Sequence, residues 1–427
     1  MTDTLHVLSG EVPVGSLVYD RKKDEISLSY EEAWQFGAKS FPASLSLPLA
    51  KKTHRDESVR PFLQGLLPDN PAVIEAWGKR FQVSPRNPFD VIRHVGEDCA
   101  GALQFVRPER LDPILSGELD SLTPLSEDDL AKRMADLQVQ ARAVPVPFEG
   151  RFSLAGAQTK DALHLKDGQW FVPGGRVQST HILKPQGVEF EEHALNEHFC
   201  LQLAAKLGLT SAESRILEIG GSRVLCVTRY DRAVDPAGAI VRWHQEDACQ
   251  AMGRYPNQKY QADGGPGAAE IVELLERFSD DREDDISRFI GALALNWVIA
   301  GTDAHSKNYS LLHGAGNFLR LAPAYDLASW LPYEPDAHST KVKLAMKIGG
   351  TYRLHQIDAA RWKKWAEEAE LSPEQVTAVV KTLIQGVIGS VEKTRRDVAE
   401  SGDLPFLQKL ADAIASHARK CAELMDL

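Results

Sequence analysis

Short runs of strand-forming residues alternate with polar breaks along the first fifty positions of the chain. The runs LHVL, GSLVYD, EISLSY and SLSLPL are separated by breaks rich in Gly, Pro and Asp. β-Branched and apolar runs bounded by turn residues are typical of strands, so this pattern predicts a small antiparallel sheet. From Pro61 to Phe81 the hydrophobic spacing becomes helical, and Ser126 with Asp129 predicts the capped start of a later helix.

The middle of the chain, from Arg151 to Val241, combines many strand patterns with one helical pattern. The strand candidates are HLK, WFVP, HILKP, RILEI and RVLCVTRY, and the helical segment runs from Glu191 to Leu207. This arrangement predicts a β-rich lobe that carries a single helix.

Beyond His244 strand patterns become rare and helical spacing dominates. Apolar residues from Ile286 to Ala300 recur with helical periodicity, which predicts a buried helix that ends before Gly301. Ser372 and Pro373 predict the start of another helix, because serine is a preferred N-cap and proline fits the first helical position. We therefore predict an α+β fold in three parts, with an N-terminal subdomain at 1–148, a β-rich lobe at 149–247 and a helical lobe at 248–427.

Length and composition indicate a globular protein. The 427 residues are 43% hydrophobic and 26% charged, close to the average of folded domains. The net charge of −11 opposes binding of nucleic acid through overall positive charge, so nucleic acid is expected as a secondary partner at most. The five cysteines include no CxxC pair, which predicts reduced thiols rather than disulfides or a thiolate zinc site.

The chain carries no sequence signal for export or membrane anchoring. Its first ten residues, MTDTLHVLSG, lack the basic region and long apolar core of a signal peptide. The longest strongly apolar segment, Ile290 to Ile299, is too short for the ~20 residues of a spanning helix. We therefore expect a cytoplasmic protein without a membrane anchor.

The stretch GTDAHSKN, from Gly301 to Asn308, carries the most informative chemistry. Asp303 is followed by Asn308 with the D-x₄-N spacing of a kinase catalytic loop. Phosphoryl transfer needs a carboxylate that takes the proton of the attacking hydroxyl, and oxygen ligands that hold Mg²⁺. Asp326, after the apolar run NFLRLAP, is the expected second metal-binding carboxylate. Asp and Asn are also common in turns, so the spacing alone does not assign this function.

Two upstream segments match the order of the remaining kinase elements. Lys184 ends the strand pattern THILK and Glu197 lies on the next helix, as the phosphate-binding lysine and its partner glutamate do in kinases. Glu189, Glu191 and Glu192, near the start of that helix, are alternatives for the glutamate. The segment SLAGAQTK, from Ser153 to Lys160, predicts a small-residue turn whose N–H groups can bind a polyphosphate. A phosphate on Ser153 would add roughly −1.5 to −2 charges and would repel the nucleotide or refold the turn. Each segment alone also fits a surface lysine or a plain turn, so their order carries the interpretation.

The histidines and basic clusters do not predict a separate site. His193 and His198 are five positions apart, so on a helix they diverge by roughly 140° and cannot share a face as the histidines of a zinc-binding HExxH motif do. The basic clusters at 51–55, 361–364 and 395–396 fit a solvated surface.

Taken together, these residues resemble the HipA family, the serine/threonine kinase toxins of bacterial type II toxin–antitoxin systems. The resemblance rests on the segments SLSLPL, FLQGLLPDN, GEDCAGAL, SLAGAQTK, THILKP, TRYDR, HQEDACQ, TDAHSKN and APAYDLAS, which occur in family order over nearly the whole chain. It implies a two-lobed, protein-kinase-like fold with an N-terminal β-rich subdomain and an all-helical C-terminal lobe.

The resemblance also implies a role for each matching residue. Asp303 matches the catalytic base, Lys184 the lysine on the ATP phosphates, and Ser153 the serine whose autophosphorylation inactivates the kinase. Asn308 and Asp326 match the Mg²⁺ ligands and also contact the nucleotide. The other implied nucleotide contacts are Ala155, Gly156, Ala157, Gln158, Thr159, Lys160, the hinge residues Thr228, Arg229 and Tyr230, and then His305, Ser306, Lys307 and Tyr325.

By the same resemblance, the protein is an ATP- and Mg²⁺-dependent kinase toxin that inhibits translation. Its implied substrate is an aminoacyl-tRNA synthetase, with glutamyl-tRNA synthetase first, and its implied partner is a HipB-like helix-turn-helix antitoxin that binds operator DNA. Thr228 replaces the acidic hinge residue of the best-known members, and the segment Gln186 to Glu192, in a region that contributes to substrate engagement, is short. Two alternatives stay open: a catalytically idle corepressor module and a small-molecule kinase with the same machinery.

Overall fold

The protein forms two compact units in a computed structural model that describes residues 2–140, 152–156, 158–187, 190–235, 238–334, 342–399 and 405–427. The first unit comprises Met1–Val188, Leu217–Pro256 and Leu311–Phe318. The second comprises Glu189–Ile216, Asn257–Ser310 and Leu319–Leu427.

The first unit begins with the antiparallel sheet that the alternating pattern predicted. Its five strands lie in the order Thr53–His54, Glu25–Tyr30, Val12–Asp20, Thr2–Ser9 and Leu103–Val106. Leu17 pairs with Leu5 on one side and Leu28 on the other, and all three side chains are fully buried. Because directly opposed residues share a face of a sheet, these leucines form the buried face.

Three helices contribute to the same core as this face. They are Asp56–Gly65, Pro71–Phe81 and Pro88–Val95, and their buried side chains join the sheet residues in one hydrophobic cluster. The predicted helical stretch from Pro61 to Phe81 is therefore divided between the first two helices. Asn70 begins the second of them, since its side chain accepts a hydrogen bond from the Ala72 N–H.

The segment SLSLPL at residues 44–49 is not a strand, so that part of the prediction was wrong. Ser44 Oγ and the Leu45 N–H both donate to the Glu246 carboxylate, at 2.5 and 2.8 Å. This carboxylate is buried and lies far along the chain. The conformation of the segment therefore depends on hydrogen bonds to a distant residue, which the alternation of apolar and polar residues in SLSLPL does not predict.

The second sheet of the first unit contains the predicted strands of the middle of the chain. Neighbouring strands follow the order Ser222–Thr228, His181–Pro185, Asp161–Lys166, Gln169–Gly174 and Ser121–Pro124. The helix Glu127–Gln140 packs buried side chains against this sheet. Its predicted cap is confirmed, since Ser126 Oγ donates to the Asp129 carboxylate at 2.6 Å and accepts from the Asp129 N–H at 3.1 Å.

Short elements complete the chain. They are Glu32–Gln35, Asp98–Cys99, Pro108–Leu115, Phe152–Ser153, Ser214–Ile219, Arg232–Val234, Ile240–Arg242, His244–Asp247, Ala248–Ala251, Pro256–Gln258, Gln261–Asp263, Ser306–Asn308, Ser310–His313, Leu319–Leu321 and Leu354–Gln356. Asp98–Cys99 pairs in parallel with Phe152–Ser153. This pairing joins the start of SLAGAQTK to the N-terminal region.

The second unit is built mainly of helices around one central helix. Pro373–Val398 packs against His193–Lys206, Arg282–Val298, Ala359–Glu368 and Pro405–Leu424, and Ala268–Phe278 packs on Arg282–Val298. The predicted N-cap of the central helix is confirmed, because Ser372 Oγ accepts from the Gln375 N–H at 3.3 Å. None of the helices in the described ranges is both long and apolar enough to cross a membrane.

A hairpin in the second unit contradicts the prediction of an all-helical C-terminal lobe. The strands Lys343–Ile348 and Thr351–Arg353 pair antiparallel. Gly349 and Gly350 connect them with φ values of +54° and +87°. Two consecutive residues with positive φ are the requirement of a tight hairpin turn, which glycine meets without steric cost.

The five cysteines are all free and buried, which confirms the prediction of reduced thiols. Burial raises the pKa of Cys99 to about 12, with the neighbouring Asp98 acting in the same direction. This thiol therefore stays protonated at neutral pH and behaves as a small apolar side chain.

Candidate active site

The helix Arg282–Val298 leads the chain into the 303–308 loop through a tight turn. Ala300 has a left-handed backbone with φ +53°, and the Gly301 N–H donates to the Asn296 carbonyl at 2.7 Å. A Cβ on Gly301 would lie 2.1 Å from Asn296 Oδ1, so a larger residue there would displace the buried Asn296 side chain. The turn therefore fixes the point at which the loop begins.

Asp303 and Asn308 are neighbours because the loop closes on itself. Asn308 Nδ2 donates to the Asp303 carbonyl oxygen at 2.8 Å, and the His305 N–H donates to the same oxygen at 2.8 Å. The Asp303 side chain is 70% exposed, and its Oδ1 accepts a hydrogen bond from Tyr260 at 2.5 Å. The carboxylate is thus anchored at one oxygen and open to a reactant.

Asp326 lies beside the same loop, and it follows the apolar run NFLRLAP along the chain. Two residues earlier, the Ala324 N–H donates to the Thr210 carbonyl at 2.9 Å and the Ala324 carbonyl accepts from the Ala212 N–H at 2.8 Å. Asp326 itself takes a left-handed backbone with φ +55°. Strained positions of this kind are found at functional sites more often than elsewhere.

Tyr325 joins the Asp326 segment to the 303–308 loop. Its hydroxyl donates to the Lys307 carbonyl at 2.5 Å and lies 2.6 Å from Ser310 Oγ. His305, Ser306 and Lys307 are buried in this part of the second unit. The structure therefore brings together Asp303, His305, Ser306, Lys307, Asn308, Tyr325 and Asp326.

Asn308 and Asp326 line one small cavity in the second unit, together with Arg288, Tyr309 and Tyr325. Asn308 Nδ2 donates to the loop backbone, so the amide oxygen of Asn308 is the atom that could accept a cation. A carboxylate and an amide oxygen form the hard oxygen donor set that Mg²⁺ prefers. The two side chains therefore fit a magnesium ion.

The SLAGAQTK segment, which belongs to the first unit, is held by the N-terminal region. Ser153 is fully buried and its Oγ donates to the Leu66 carbonyl at 2.8 Å. The Asp69 N–H donates to the Gly156 carbonyl at 3.0 Å, and Gly156 has φ +111°. Lys160 Nζ donates back to the Ala155 carbonyl at 2.7 Å. The segment is a closed turn, with Gln158 and Thr159 between these contacts, while Ala157 lies outside the described residues.

Lys184 is buried within the strand His181–Pro185 of the first unit. Its partner in the register is Leu225 of the adjacent strand. Glu197 belongs to the second unit and is buried on the helix His193–Lys206. Burial strengthens the electrostatic interaction of a lysine with an anion, so this position is compatible with a phosphate-binding residue.

The hinge residues differ in how their side chains are used. The Arg229 N–H donates to the Thr180 carbonyl at 2.9 Å, so the backbone continues the strand that ends at Thr228. The Tyr230 hydroxyl donates to Gln245. The Arg229 guanidinium is 1% exposed and points into an ion network of the first unit. The Arg229 N–H and the Arg229 guanidinium are therefore both already bonded within the first unit.

This ion network joins the N-terminal region to the hinge. Asp231 contacts Arg229 at 2.8 Å and Arg232 at 3.0 Å, and Arg232 contacts Asp98 at 3.0 Å. The Gly101 N–H also donates to Asp231 at 2.8 Å. Burial alone would raise the pKa of Asp231, but Arg229 and Arg232 hold that pKa well below its ordinary value. Asp231 is therefore ionised throughout the neutral range.

Sequence reasoning missed Tyr260 and the pair Asp98 and Asp231. The alternating charged residues Arg229, Asp231 and Arg232 in TRYDR are the sequence signal for the ion network. Their spacing gives no indication that they contact Asp98. Tyr260 is 43 positions from Asp303 along the chain, and it belongs to none of the motifs that predict the site. Only the folded arrangement identifies these residues.

Two protein-family models match the chain. The HipA N-terminal domain matches residues 5–106, and the HipA-like C-terminal domain matches residues 152–391. A Sinorhizobium fredii protein named "Putative kinase Y4mE" is 36% identical over 410 residues, covering 95% of both chains. The serine/threonine-protein kinase toxin HipA of Shewanella oneidensis is 30% identical, covering 84% of this chain and 81% of its own.

A solved structure shares the fold. It contains the Shewanella oneidensis MR-1 toxin–antitoxin proteins HipA and HipB with operator DNA. One of its chains superposes with a TM-score of 0.83 at 24% identity, covering 99% of both chains. The mixed helix and sheet architecture is therefore the kinase-like one that the sequence predicted.

Proposed function

This chain belongs to the HipA family of kinase toxins, and on that premise we propose that it is an ATP- and Mg²⁺-dependent serine/threonine protein kinase. The observation that carries the proposal is the arrangement of three oxygen-bearing side chains. Asn308 and Asp326 line one cavity, and the Asn308 amide closes the loop on Asp303. Phosphoryl transfer needs these groups and little other covalent chemistry from the protein.

Each residue has a defined task in the proposed reaction. Asp303 accepts the proton of the substrate hydroxyl as that oxygen attacks the γ-phosphorus, and the bond to ADP breaks. Asn308 and Asp326 would hold Mg²⁺, which when bound neutralises charge on the phosphates. Lys184 binds a phosphate oxygen.

The nucleotide contacts implied by the resemblance divide between backbone and side-chain groups. The turn from Ala155 to Lys160 offers N–H groups to the phosphates. Thr228 and Tyr230 serve the adenine through their backbone, and Arg229 contributes by holding the hinge, because its N–H is bonded to Thr180 and its side chain is buried in the ion network. His305, Ser306, Lys307 and Tyr325 contribute mainly by fixing the 303–308 loop.

The family also supports a toxin that is restrained by an antitoxin. The solved relative contains HipB and operator DNA, so we propose a HipB-like helix-turn-helix partner that makes most of the DNA contacts. An acidic chain of net charge −11 fits this indirect contact with DNA. The proposed substrate is an aminoacyl-tRNA synthetase, glutamyl-tRNA synthetase first, which places the protein in the cytoplasm.

The proposed domain division places an N-terminal subdomain at 1–148, a β-rich kinase lobe at 149–247 and a C-terminal lobe at 248–427. The two family matches support the first boundary, since one ends at residue 106 and the other begins at residue 152. The ion network around Asp98 joins the first two of these parts.

The proposed function predicts that the purified protein incorporates label from ATP carrying a labelled γ-phosphate. Incorporation should require Mg²⁺ and stop when EDTA is added, because the donor set of Asn308 and Asp326 suits that cation. ATP labelled at the α-phosphate is the control and should give no incorporation. Tight binding of an antitoxin without any transfer, with or without added synthetase, would favour the idle corepressor module instead.

Brief expression followed by phosphoproteomics identifies the substrate. A synthetase with a newly phosphorylated serine or threonine is the expected result. A phosphorylated metabolite with no phosphorylated protein would instead favour the small-molecule kinase.

Ser153 is the proposed site of autophosphorylation, and its substitution should have opposite effects in two variants. Ser153→Ala should preserve ATP binding and remove self-inactivation, so the kinase stays active for longer. Ser153→Asp should weaken ATP binding, because a buried charge opposite the Leu66 carbonyl disrupts the turn. Titration calorimetry with a non-hydrolysable ATP analogue measures the difference, and equal affinities for wild type and Ser153→Asp would contradict the switch.

A further inference from the structure

Tyr260 makes a contact to the reacting carboxylate that the family resemblance does not assign. Its hydroxyl donates to Asp303 Oδ1 at 2.5 Å. The Tyr260 ring also meets the His305 ring edge-on, with centroids 5.1 Å apart. Both contacts lie within the second unit. From them we infer that Tyr260 is a positioning residue that fixes Asp303 so that Oδ2 faces the substrate hydroxyl.

The turn that carries Tyr260 is attached to the 303–308 loop. The Lys259 carbonyl accepts hydrogen bonds from the Ser306 N–H at 3.2 Å and from Ser306 Oγ at 2.9 Å. Ser306 is fully buried, so the two bonds are shielded from water. The residue before Tyr260 is thus bonded to the 303–308 loop, which places the phenol beside Asp303.

The backbone on the other side of Tyr260 is equally restricted. The Tyr260 carbonyl accepts from the Asp263 and Gly265 N–H groups, each at 3.0 Å. A Cβ on Gly265 would lie 1.8 Å from the Gln258 carbonyl oxygen, so the turn admits only glycine there. Gln261 Oε1 accepts from the Lys347 N–H at 2.7 Å, which connects the turn to the hairpin of the same unit. Hydrogen bonds and close packing on both sides therefore define the position of the phenol.

The exposure of Asp303 explains why such an anchor matters. A side chain that is 70% exposed has few packing contacts to hold its carboxylate in one rotamer. His305 Nε2 is 4.0 Å from Asp303 Oδ1, which is too far for a hydrogen bond. The orientation of the Asp303 carboxylate therefore depends on Tyr260. With Oδ1 occupied, the second oxygen is the one presented to a hydroxyl, and a fixed acceptor raises the fraction of productive encounters.

The opposite reading is that Tyr260 blocks the base and must leave before transfer. The two readings predict opposite changes when the hydroxyl is removed. If the phenol blocks Asp303, Tyr260→Phe should accelerate transfer, and if it positions Asp303, the same change should slow transfer. The inference rests on the proposed function, because both readings require phosphoryl transfer at Asp303.

The test compares wild type, Tyr260→Phe and the control Tyr352→Phe, in which a phenol on the strand Thr351–Arg353 loses its hydroxyl. We expect Tyr260→Phe to lower the rate constant of autophosphorylation at saturating ATP by about 10-fold to 50-fold. The ATP concentration for half-maximal rate should stay within about twofold, because the change acts on proton acceptance and leaves nucleotide binding intact. The control should behave as wild type.

The possible outcomes separate the inference from the proposed function. A rate for Tyr260→Phe that equals or exceeds that of wild type overturns the positioning role and leaves the kinase assignment intact. A loss caused only by weaker ATP binding, seen as a shifted half-maximal concentration with an unchanged maximal rate, also overturns it. Absence of transfer by wild type removes both proposals together.

Discussion

Replacing Asp303 with glutamine should lower the rate of autophosphorylation at least a thousandfold. Asp303 is the only candidate base in the 303–308 loop whose carboxylate is exposed to a reactant, and glutamine cannot accept the proton of the substrate hydroxyl. A thousandfold loss corresponds to about 4 kcal/mol of transition-state stabilisation, which is reasonable for removal of a positioned carboxylate. Transfer from labelled ATP, followed over time, measures the effect.

Nucleotide binding and a matched substitution serve as controls for this variant. ATP affinity should change by less than about threefold, since the proposed cation ligands Asn308 and Asp326 are unchanged in this variant. Glu283→Gln removes an exposed carboxylate from the helix Arg282–Val298 and should leave transfer unchanged. Equal labelling of wild type and Asp303→Gln would refute the assignment of the base.

Replacing Asp231 with asparagine should have the largest effect on stability. The carboxylate is buried between Arg229 and Arg232, and its loss leaves Asp98 as the one carboxylate that both guanidinium groups contact among the described residues. Breaking a buried ion pair from one side costs about 3–5 kcal/mol. The midpoint of thermal unfolding should therefore fall by roughly 10 °C, as measured by calorimetry.

A control and the pH dependence distinguish this ionic contribution from a packing defect. Asp167→Asn changes an exposed carboxylate with a positive φ of +50°, which asparagine tolerates, and should be nearly neutral.

The pKa of Asp231 is lowered in the folded state, so its contribution to the free energy of unfolding is complete above the ordinary pKa of a carboxyl group. That contribution is lost as pH falls through the lower, folded-state pKa. The difference between wild type and Asp231→Asn should thus shrink in acid, and a difference independent of pH would point to packing.

Elements stabilised by local contacts were predictable from the sequence. Ser126 and Ser372 each accept a hydrogen bond from the backbone N–H three residues later, so their capping role can be predicted from the local sequence. The proximity of Asp303 and Asn308 follows from a short loop for the same reason. The helix before that loop was predicted because its apolar spacing describes one buried face.

Elements stabilised by distant residues were not predictable. The local pattern around Ser44 and Leu45 predicts a strand, but both residues donate hydrogen bonds to Glu246, which is about 200 residues away along the chain. The two glycines of the Gly349 and Gly350 hairpin are a local turn signal, but the helical patterns on both sides dominate the prediction for this lobe. Tyr260 and Asp303 meet only after folding, and no spacing rule connects them.

The burial of the Ser153 hydroxyl makes any self-modification a delayed event. The hydroxyl is inaccessible and bound to the Leu66 carbonyl, so the strand Phe152–Ser153 has to part from Asp98–Cys99 before a γ-phosphate can reach it. Local openings of this kind range in free energy from near zero up to the stability of the whole fold. Autophosphorylation of Ser153 would then depend on two factors multiplied together, the fraction of molecules in which this two-residue strand is open and the rate of the catalytic step, so that the strand lengthens the delay before a toxin inactivates itself.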